Sequence, residues 1–244
     1  MTGAGAGAER ALTEPAPFTW RDGGRLVRFG RGLAAEAPSL VEGPYALLTT
    51  PRATGSAPAL VAGASEVHHV GPGLVDALSA ELLGRVRERT IDALGGGRVI
   101  DTAKAVAAAS GGARHLVAVP TTLSGAEMTA IHRLPAGVPA DTARVRPQVV
   151  IADPDLSASQ PEPGLVASAQ TALAHCADAP LTTGANPVAT LAALEGARLL
   201  AGGLSGEVPD RDALALGALL GGYAIDSAGY GLHHVLSQTL VRFA

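Results

Sequence analysis

Three glycines in a row, three histidines and a set of hydroxyls are the residues of this 244-residue chain whose types and spacing can do chemistry. Gly95, Gly96 and Gly97 follow the run Ile91 to Leu94 and precede a helical pattern over Val99 to Ala109. Successive glycines let the backbone turn sharply and bring amide N–H groups near a ligand with no side chain in the way. A helix starting there points unpaired amides and a positive dipole end at an anion. A tight strand-to-helix turn accounts for the same residues without any ligand, so the run alone leaves both readings open. Arg98, directly after the glycines, either strengthens phosphate binding or fills the site. Asp101 would repel a phosphate and is expected to cap backbone amides or orient a ribose. Lys104 either reaches the mouth of the sheet or is solvated.

On the predicted helix Gly164 to Ala179, Thr171 and His175 are four apart and share a face. His234 and Gln238 repeat that spacing on the last predicted helix, with His233 alongside. Polar pairs on facing helices are the geometry of an interhelical metal site. Thr171 and Gln238 are poor donors, however, and two histidines alone make a weak site. Histidine is also the obvious proton donor to an oxygen gaining charge, because its pKa lies near working pH; hydrogen bonding within the helices is the structural alternative. Thr121, Thr122, Ser124 and Thr129 bring hydroxyls to the same mouth, for a nicotinamide carboxamide or pyrophosphate, or for capping a helix.

Strands are expected near Leu26 to Phe29, at Ala46 to Thr50, Glu66 to Val70, before the glycines, at His115 to Val119 and at Gln148 to Ala152. They alternate with helical patterns, among them Leu74 to Arg89. Such alternation predicts a mostly parallel α/β sheet with right-handed crossovers. Ligands of such sheets lie beyond the carboxyl ends of the strands, where the glycines and Pro120-Thr121-Thr122 fall. From Gly164 onward only helices are expected: Gly164 to Ala179, Pro187 to Gly202, Asp210 to Asp226 and Gly229 to Ala244. The division is residues 1–17 as a flexible tail, 18–156 as a nucleotide-binding α/β domain and 157–244 as a helical domain, with the substrate in the cleft between the two.

Composition narrows the function classes. Net charge is −4 with no basic cluster, which argues against nucleic acid as a partner. The single cysteine, Cys176, excludes an internal disulfide, fits a reducing cytoplasm and reads as a small buried helix residue. The Gly/Ala/Pro-rich start has no apolar core of a secretory signal, and Leu214 to Ile225 is too short and glycine-rich to span a bilayer. The expectation is a soluble, cytoplasmic protein.

Taken together, the chain resembles the iron-containing alcohol dehydrogenase superfamily, on its maleylacetate reductase-like branch. The resemblance rests on Arg28-Phe29-Gly30, Leu94 to Ala107, Val119 to Thr129, Ala152 to Leu156, Ala172 to His175 and Gly231 to His234. It implies a Rossmann-like parallel sheet followed by an all-α domain, the dehydroquinate synthase-like architecture, with NAD or NADP and substrate in the cleft. By position it implies that Gly95, Gly96, Gly97, Arg98, Asp101, Thr121, Thr122 and Ser124 line the nucleotide site. Thr50 stands near the strand end where an acidic residue would select NAD, so NADP stays open and Arg52 would meet its phosphate. His175 and His234 match two family metal ligands. Thr171 stands where the family has a metal-binding Asp, and Gln238 where a further histidine is expected. The site of Thr171, His175 and His234 is therefore read as degenerate and the mechanism as independent of metal. The helical domain reads as shortened, which implies uncovered apolar faces and a partner surface, a second copy of the chain foremost. The leading expectation is an NAD(P)H-dependent reductase of a small carbonyl or enone, with His175, His234 or His233 as catalytic groups. A non-redox cyclase, isomerase or lyase in the same cleft, and a non-catalytic subunit, are the alternatives.

Overall fold

The computed structural model describes residues 15–41 and 43–243, so most of the expected tail lies outside the described residues. The chain enters a seven-stranded sheet through a hairpin. β1 (Phe18–Asp22) and β2 (Arg25–Phe29) pair antiparallel across Gly23, whose φ of +58° suits glycine. The sequence pattern predicts only the second of these strands, because β1 is short and alternates half-buried with exposed residues. After α1 (Leu33–Leu40) come β3 (Tyr45–Thr49), the short helices α2 (Pro51–Thr54) and α3 (Pro58–Gly63), β4 (Glu66–His69), α4 (Val75–Leu82), β5 (Thr90–Gly95), α5 (Gly97–Ala109), β6 (His115–Pro120) and β7 (Val149–Ala152). The order across the sheet is β1-β2-β7-β6-β5-β3-β4, and every pairing after the hairpin is parallel.

Helices cover both faces, and this is why β3, β5 and β7 are buried along their whole length. On one face Leu33 and Ala37 of α1 and Leu60 of α3 meet Leu47, Leu94, Val117 and Ile151. On the other, Leu82 of α4 and Ile100, Ala103 and Val106 of α5 meet Leu48, Ile91, Ala93 and Leu116. One expected helix is shorter than its pattern. α4 ends at Leu82 rather than Arg89, because Gly84 breaks the run and the Glu66 carboxylate takes the N–H groups of Arg87 (2.9 Å) and Glu88 (2.8 Å). Those are donors that a continuing helix would have used itself.

The remaining elements are all helical: α6 (Glu162–Asp178), α7 (Pro187–Leu204), α8 (Arg211–Ala228) and α9 (Leu232–Phe243). The first three pack through small residues around buried Cys176: a Cβ on Gly196 or on Gly221 would stand 2.9 Å from its sulfur. The fold is thus an α/β parallel sheet with an all-α portion, the architecture that the sequence pattern predicts. The two portions meet where the loop after β6 presses on α8. Gly125 takes a left-handed φ of +70°, and a Cβ on Gly222 would lie 2.8 Å from the Gly125 carbonyl. Arg31 bridges the same seam, its Nε donating to Asp212 at 3.0 Å while its guanidinium also pairs with Asp155. Among the described residues no helix is long and apolar enough to cross a membrane.

Candidate active site

The glycine turn sits at the carboxyl edge of the sheet, between β5 and α5. None of the three glycines has a positive φ, so left-handed backbone does not explain them. Close approach does. A Cβ on Gly96 would stand 2.9 Å from the Thr122 methyl, and one on Gly97 would stand 3.0 Å from Ser124 Oγ. The loop after β6 therefore lies directly on the turn, and the Thr121 N–H donating to Gly95 O at 2.9 Å ties the two together. Among the described residues no side chain caps the start of α5. Uncapped amides at a 13-residue helix, at the edge where α/β sheets bind ligands, suit a phosphate.

Beneath the turn, Lys104 reaches back rather than outward. Its side chain is fully buried, and Nζ donates to the carbonyls of Ala126 (2.9 Å), Thr129 (3.1 Å) and Ile131 (2.8 Å) and to Thr129 Oγ1 (3.3 Å). Asp101 stands 2.7 Å from the same ammonium. Lys104 is neither solvated nor at the sheet mouth; it fixes the segment that forms the site's wall. Burial pushes the Asp101 carboxyl above its usual range, against the pull of Lys104.

Facing this wall are three histidines from two helices. His175 of α6 and His234 of α9 stack with centroids 4.9 Å apart and planes 14° from parallel; the His233 ring meets both edge-on. Asp178, one turn after His175 and buried, accepts the His233 N–H at 3.0 Å and so supplies the cap at the start of α9. Gly231 makes room for it, since a Cβ there would come within 2.2 Å of that carboxyl. Burial, assisted by the two neighbouring rings, lowers the His175 pKa to about 3. Burial also lowers that of His234, with His233 adding to the effect and Asp178 opposing it. Both Nδ1 atoms are buried without a hydrogen-bond partner among the described residues. At neutral pH His175 is therefore an uncharged ring, 5 % exposed, and the expected proton donor from that position is not an imidazolium.

Wall and histidines enclose two adjoining recesses. A small one of about 110 Å³ is lined by Gly97, Asp101, Ser124, Thr171, His175 and His234. A larger one of about 480 Å³ shares Asp101, Ile131 and His234 and extends to Arg133 and Tyr230. Gly97 of the glycine turn and the histidines, about eighty residues and more apart in sequence, thus line the small recess, which adjoins one of small-ligand size.

The other sequence-derived positions fall as follows. Thr122 and Ser124 are half-buried beside the glycines. Thr121 is fully buried, so its backbone rather than its hydroxyl serves the turn. Thr50 caps α2, its hydroxyl accepting the Ala53 N–H at 3.2 Å. Arg98 is exposed and extends toward Gly71 O at 3.5 Å, so it does not fill the turn. Thr171 donates its hydroxyl to Ala167 O at 3.1 Å, a bond within its own helix. The Gln238 side chain lies outside the described residues. Among the described residues no group of three or more His, Cys, Asp or Glu is placed to hold a metal ion. Two stacked imidazoles and a hydroxyl engaged with its own backbone are a donor set that does not suit a divalent metal. Sequence reasoning missed Asp178, which caps α9, and Arg133, which lines the larger recess. Asp178 was readable as sharing a face with His175 at i, i+3; Arg133 carried no signal.

No protein-family model matches the chain. It is 41% identical over 159 residues to maleylacetate reductase 1 of Rhodococcus opacus, which covers 61% of this chain and 43% of the relative. It is 32% identical over 235 residues to a maleylacetate reductase of Sphingobium indicum, covering 88% of this chain and 66% of the relative. In structure it matches a chain from Ralstonia eutropha JMP134, named as a candidate alcohol dehydrogenase, at 30% identity and a TM-score of 0.77, covering 93% and 69% of the two chains. The chain spans about two fifths to two thirds of the length of these curated relatives.

Proposed function

Because the chain belongs to the iron-containing alcohol dehydrogenase family, with maleylacetate reductases among its relatives, we propose that it is a nicotinamide-nucleotide-dependent reductase of a small carbonyl or enone that works without a metal. The observation that carries this reading is the convergence of the uncapped α5 turn and His234 on one recess. The amides at the start of α5 hold the pyrophosphate of NADH or NADPH, with Thr122 and Ser124 beside them. When bound, the reduced nucleotide supplies the hydride. The chain's own part is to hold the substrate's oxygen against His234, whose ring N–H donates a hydrogen bond as that oxygen takes up the electron pair of the C=O bond. The proton that completes the alcohol, or the ketone formed from an enone, enters through the same ring or through water in the open recess. His175 and Asp178 orient His234 through the stacked rings and the cap on α9. The Thr171 hydroxyl, bonded within its helix, supports independence from metal.

Self-association belongs to the same reading. Val188, Leu191 and Leu194 on α7 and Leu232, Val235 and Leu240 on α9 are exposed apolar side chains, and a second copy of the chain is the proposed cover. The single buried cysteine supports a reducing, cytoplasmic setting.

The test is a thermal-shift titration with NAD, NADH, NADP and NADPH in parallel, since a bound nucleotide must raise the melting temperature by mass action. A shift with at least one of them, and consumption of the reduced form with a carbonyl substrate unaffected by a chelator, is the expected result. No shift with any of the four overturns it. Histidine-dependent turnover without nucleotide would instead establish a non-redox enzyme in the same recess.

A further inference from the structure

At the end of the sheet opposite the glycine turn, where β2 and β7 begin, lies a further recess, open and about 520 Å³ in volume. It shares no lining residue with the two recesses beside the histidines. The hairpin turn Asp22 to Arg25 forms one rim, and Ala130 with the stretch Arg144 to Gln148 forms the other. Three guanidinium groups line it, those of Arg25, Arg144 and Arg146. Asp22 is the one carboxylate in the lining among the described residues, and it is paired with Arg25. Arg146 pairs with Asp226 of α8 at 3.1 Å, and Asp226 also accepts the Ala130 N–H at 2.7 Å. Three cations thus meet two carboxylates. Burial pushes the nearby Glu127 carboxyl up to about 7, against the pull of Lys104 and Arg25, so it adds only part of a charge near neutral pH.

The donors are held in place and partly unused. Arg25 is 5% exposed, and its Nη1 donates to the Met128 carbonyl at 2.7 Å. Its Nε is buried and has no acceptor among the described residues, a gap that a bound ion or water ordinarily closes. Arg144 donates from Nε to the His132 carbonyl at 3.0 Å and from Nη1 to Thr142 O at 3.2 Å, while Nη2 has no partner among the described residues. Gln148 is committed to the sheet, its Oε1 accepting the Leu116 N–H at 2.7 Å. A Cβ on Gly23 or Gly24 would meet no described atom within 4 Å, so the hairpin leaves the mouth unobstructed. What the recess offers is a set of positioned N–H donors, and little ordering cost remains for an anion that takes them.

We propose that this recess binds a phosphate-type oxyanion, a free phosphate or a phosphoester, through Arg25, Arg144 and Arg146. A carboxylate is planar and is matched by a single guanidinium fork. A phosphate presents acceptor oxygens in several directions, so it can take guanidinium groups that arrive from two segments of the chain. The site does not rest on the reductase reading. Its one link to the histidine recess is Arg144, bonded to the carbonyl of His132 in that recess's wall.

The test is calorimetry on the full chain with inorganic phosphate and glycerol 3-phosphate at constant ionic strength, with acetate as the carboxylate control. The unaltered protein is expected to bind phosphate at least about tenfold more tightly than acetate. Arg144→Gln and Arg146→Gln each weaken phosphate binding about tenfold, as loss of a charge-assisted hydrogen bond requires. Thermal shifts given by nicotinamide nucleotides stay the same in all three proteins. Phosphate binding indifferent to both substitutions places the anion elsewhere, as at the glycine turn, and overturns the proposal. Equal binding of acetate, or no binding of phosphate by the unaltered protein, overturns it too. Tighter binding of glycerol 3-phosphate than of phosphate assigns an ester as the occupant and the reverse a free phosphate, and either supports the site. Should Arg146→Gln not fold, Arg144→Gln and Arg146→Lys decide it; the lysine keeps a charge opposite Asp226 and is expected to bind phosphate with intermediate affinity. Arginine-dependent phosphate binding without any nucleotide-induced shift removes the reductase reading and keeps this site; a nucleotide-induced shift with no phosphate binding does the reverse.

Discussion

The two walls of the recess are built in opposite ways. The glycine-turn wall is held by packing and by a buried cation: the loop after β6 touches the turn so closely that two Cβ atoms are excluded, and Lys104 gathers three carbonyls and a hydroxyl beneath it. The histidine wall is held by ring stacking and by one carboxylate acting across two helices. In the first, each residue is fixed by many neighbours, so a change there is felt as lost stability. In the second, the rings have buried nitrogens with no partner, so a change there leaves the fold and alters the chemistry. A site assembled from such halves keeps its scaffold when its catalytic groups diverge.

The comparison breaks most readily at Lys104. Lys104→Met leaves Asp101 without its counter-charge and four acceptors without a donor. Removing one partner of a buried charged pair costs about 3–5 kcal/mol. Chemical denaturation should show a loss of that size, and a change below about 1 kcal/mol, the range of surface substitutions, would refute the role given to it. His234→Gln should do the opposite. Turnover falls about a hundredfold, the lower end for loss of a positioned acid–base group, while the denaturation midpoint barely moves.

Asp92 sharpens the same contrast from inside the sheet. It is fully buried in β5 with both carboxylate oxygens unpartnered, and burial pushes its pKa up to about 8. The folded value lies above the unfolded one of about 3.9. The protonated form is therefore the one the fold favours, so the contribution of Asp92 to stability is complete below about pH 4 and is lost as pH rises through 8. Asp92→Leu should flatten that alkaline limb and raise stability at pH 7 by about 1–3 kcal/mol, the cost of an orphaned buried polar group. His132 works in the other direction. Its folded pKa of about 4 is below the ordinary 6.5, so its contribution is complete above pH 6.5 and is lost as pH falls toward 4. His132→Gln should flatten the acid limb, as melting curves across pH would reveal. The smallest effect is at Thr50: Thr50→Ala removes the cap of α2 and about 1 kcal/mol, with nucleotide affinity unchanged if capping is its whole role.

Much of this was legible in the chain. Apolar runs such as Tyr45–Thr49 and Val149–Ala152 announce strands covered on both faces, and the glycines between β5 and α5 announce a close approach. The less legible parts lack such a pattern. β1 half-buries alternate residues in a short hairpin, and the end of α4 depends on a carboxylate from Glu66, some twenty residues earlier. Arg133 stands in no pattern of the sequence; only the fold brings it to a recess wall.

The sequence by itself determined the parallel sheet, the helical portion after it and the family, since periodicity and short motifs are local properties. Only the tertiary structure decided what the chemical residues do. It turned Lys104 inward, gave the glycines a steric rather than a conformational reason, made His175 a neutral ring and brought His234 to the recess that Gly97 lines. Each of these outcomes depends on desolvation and on contacts between segments far apart in the chain, and neither is written in the spacing of residues along it.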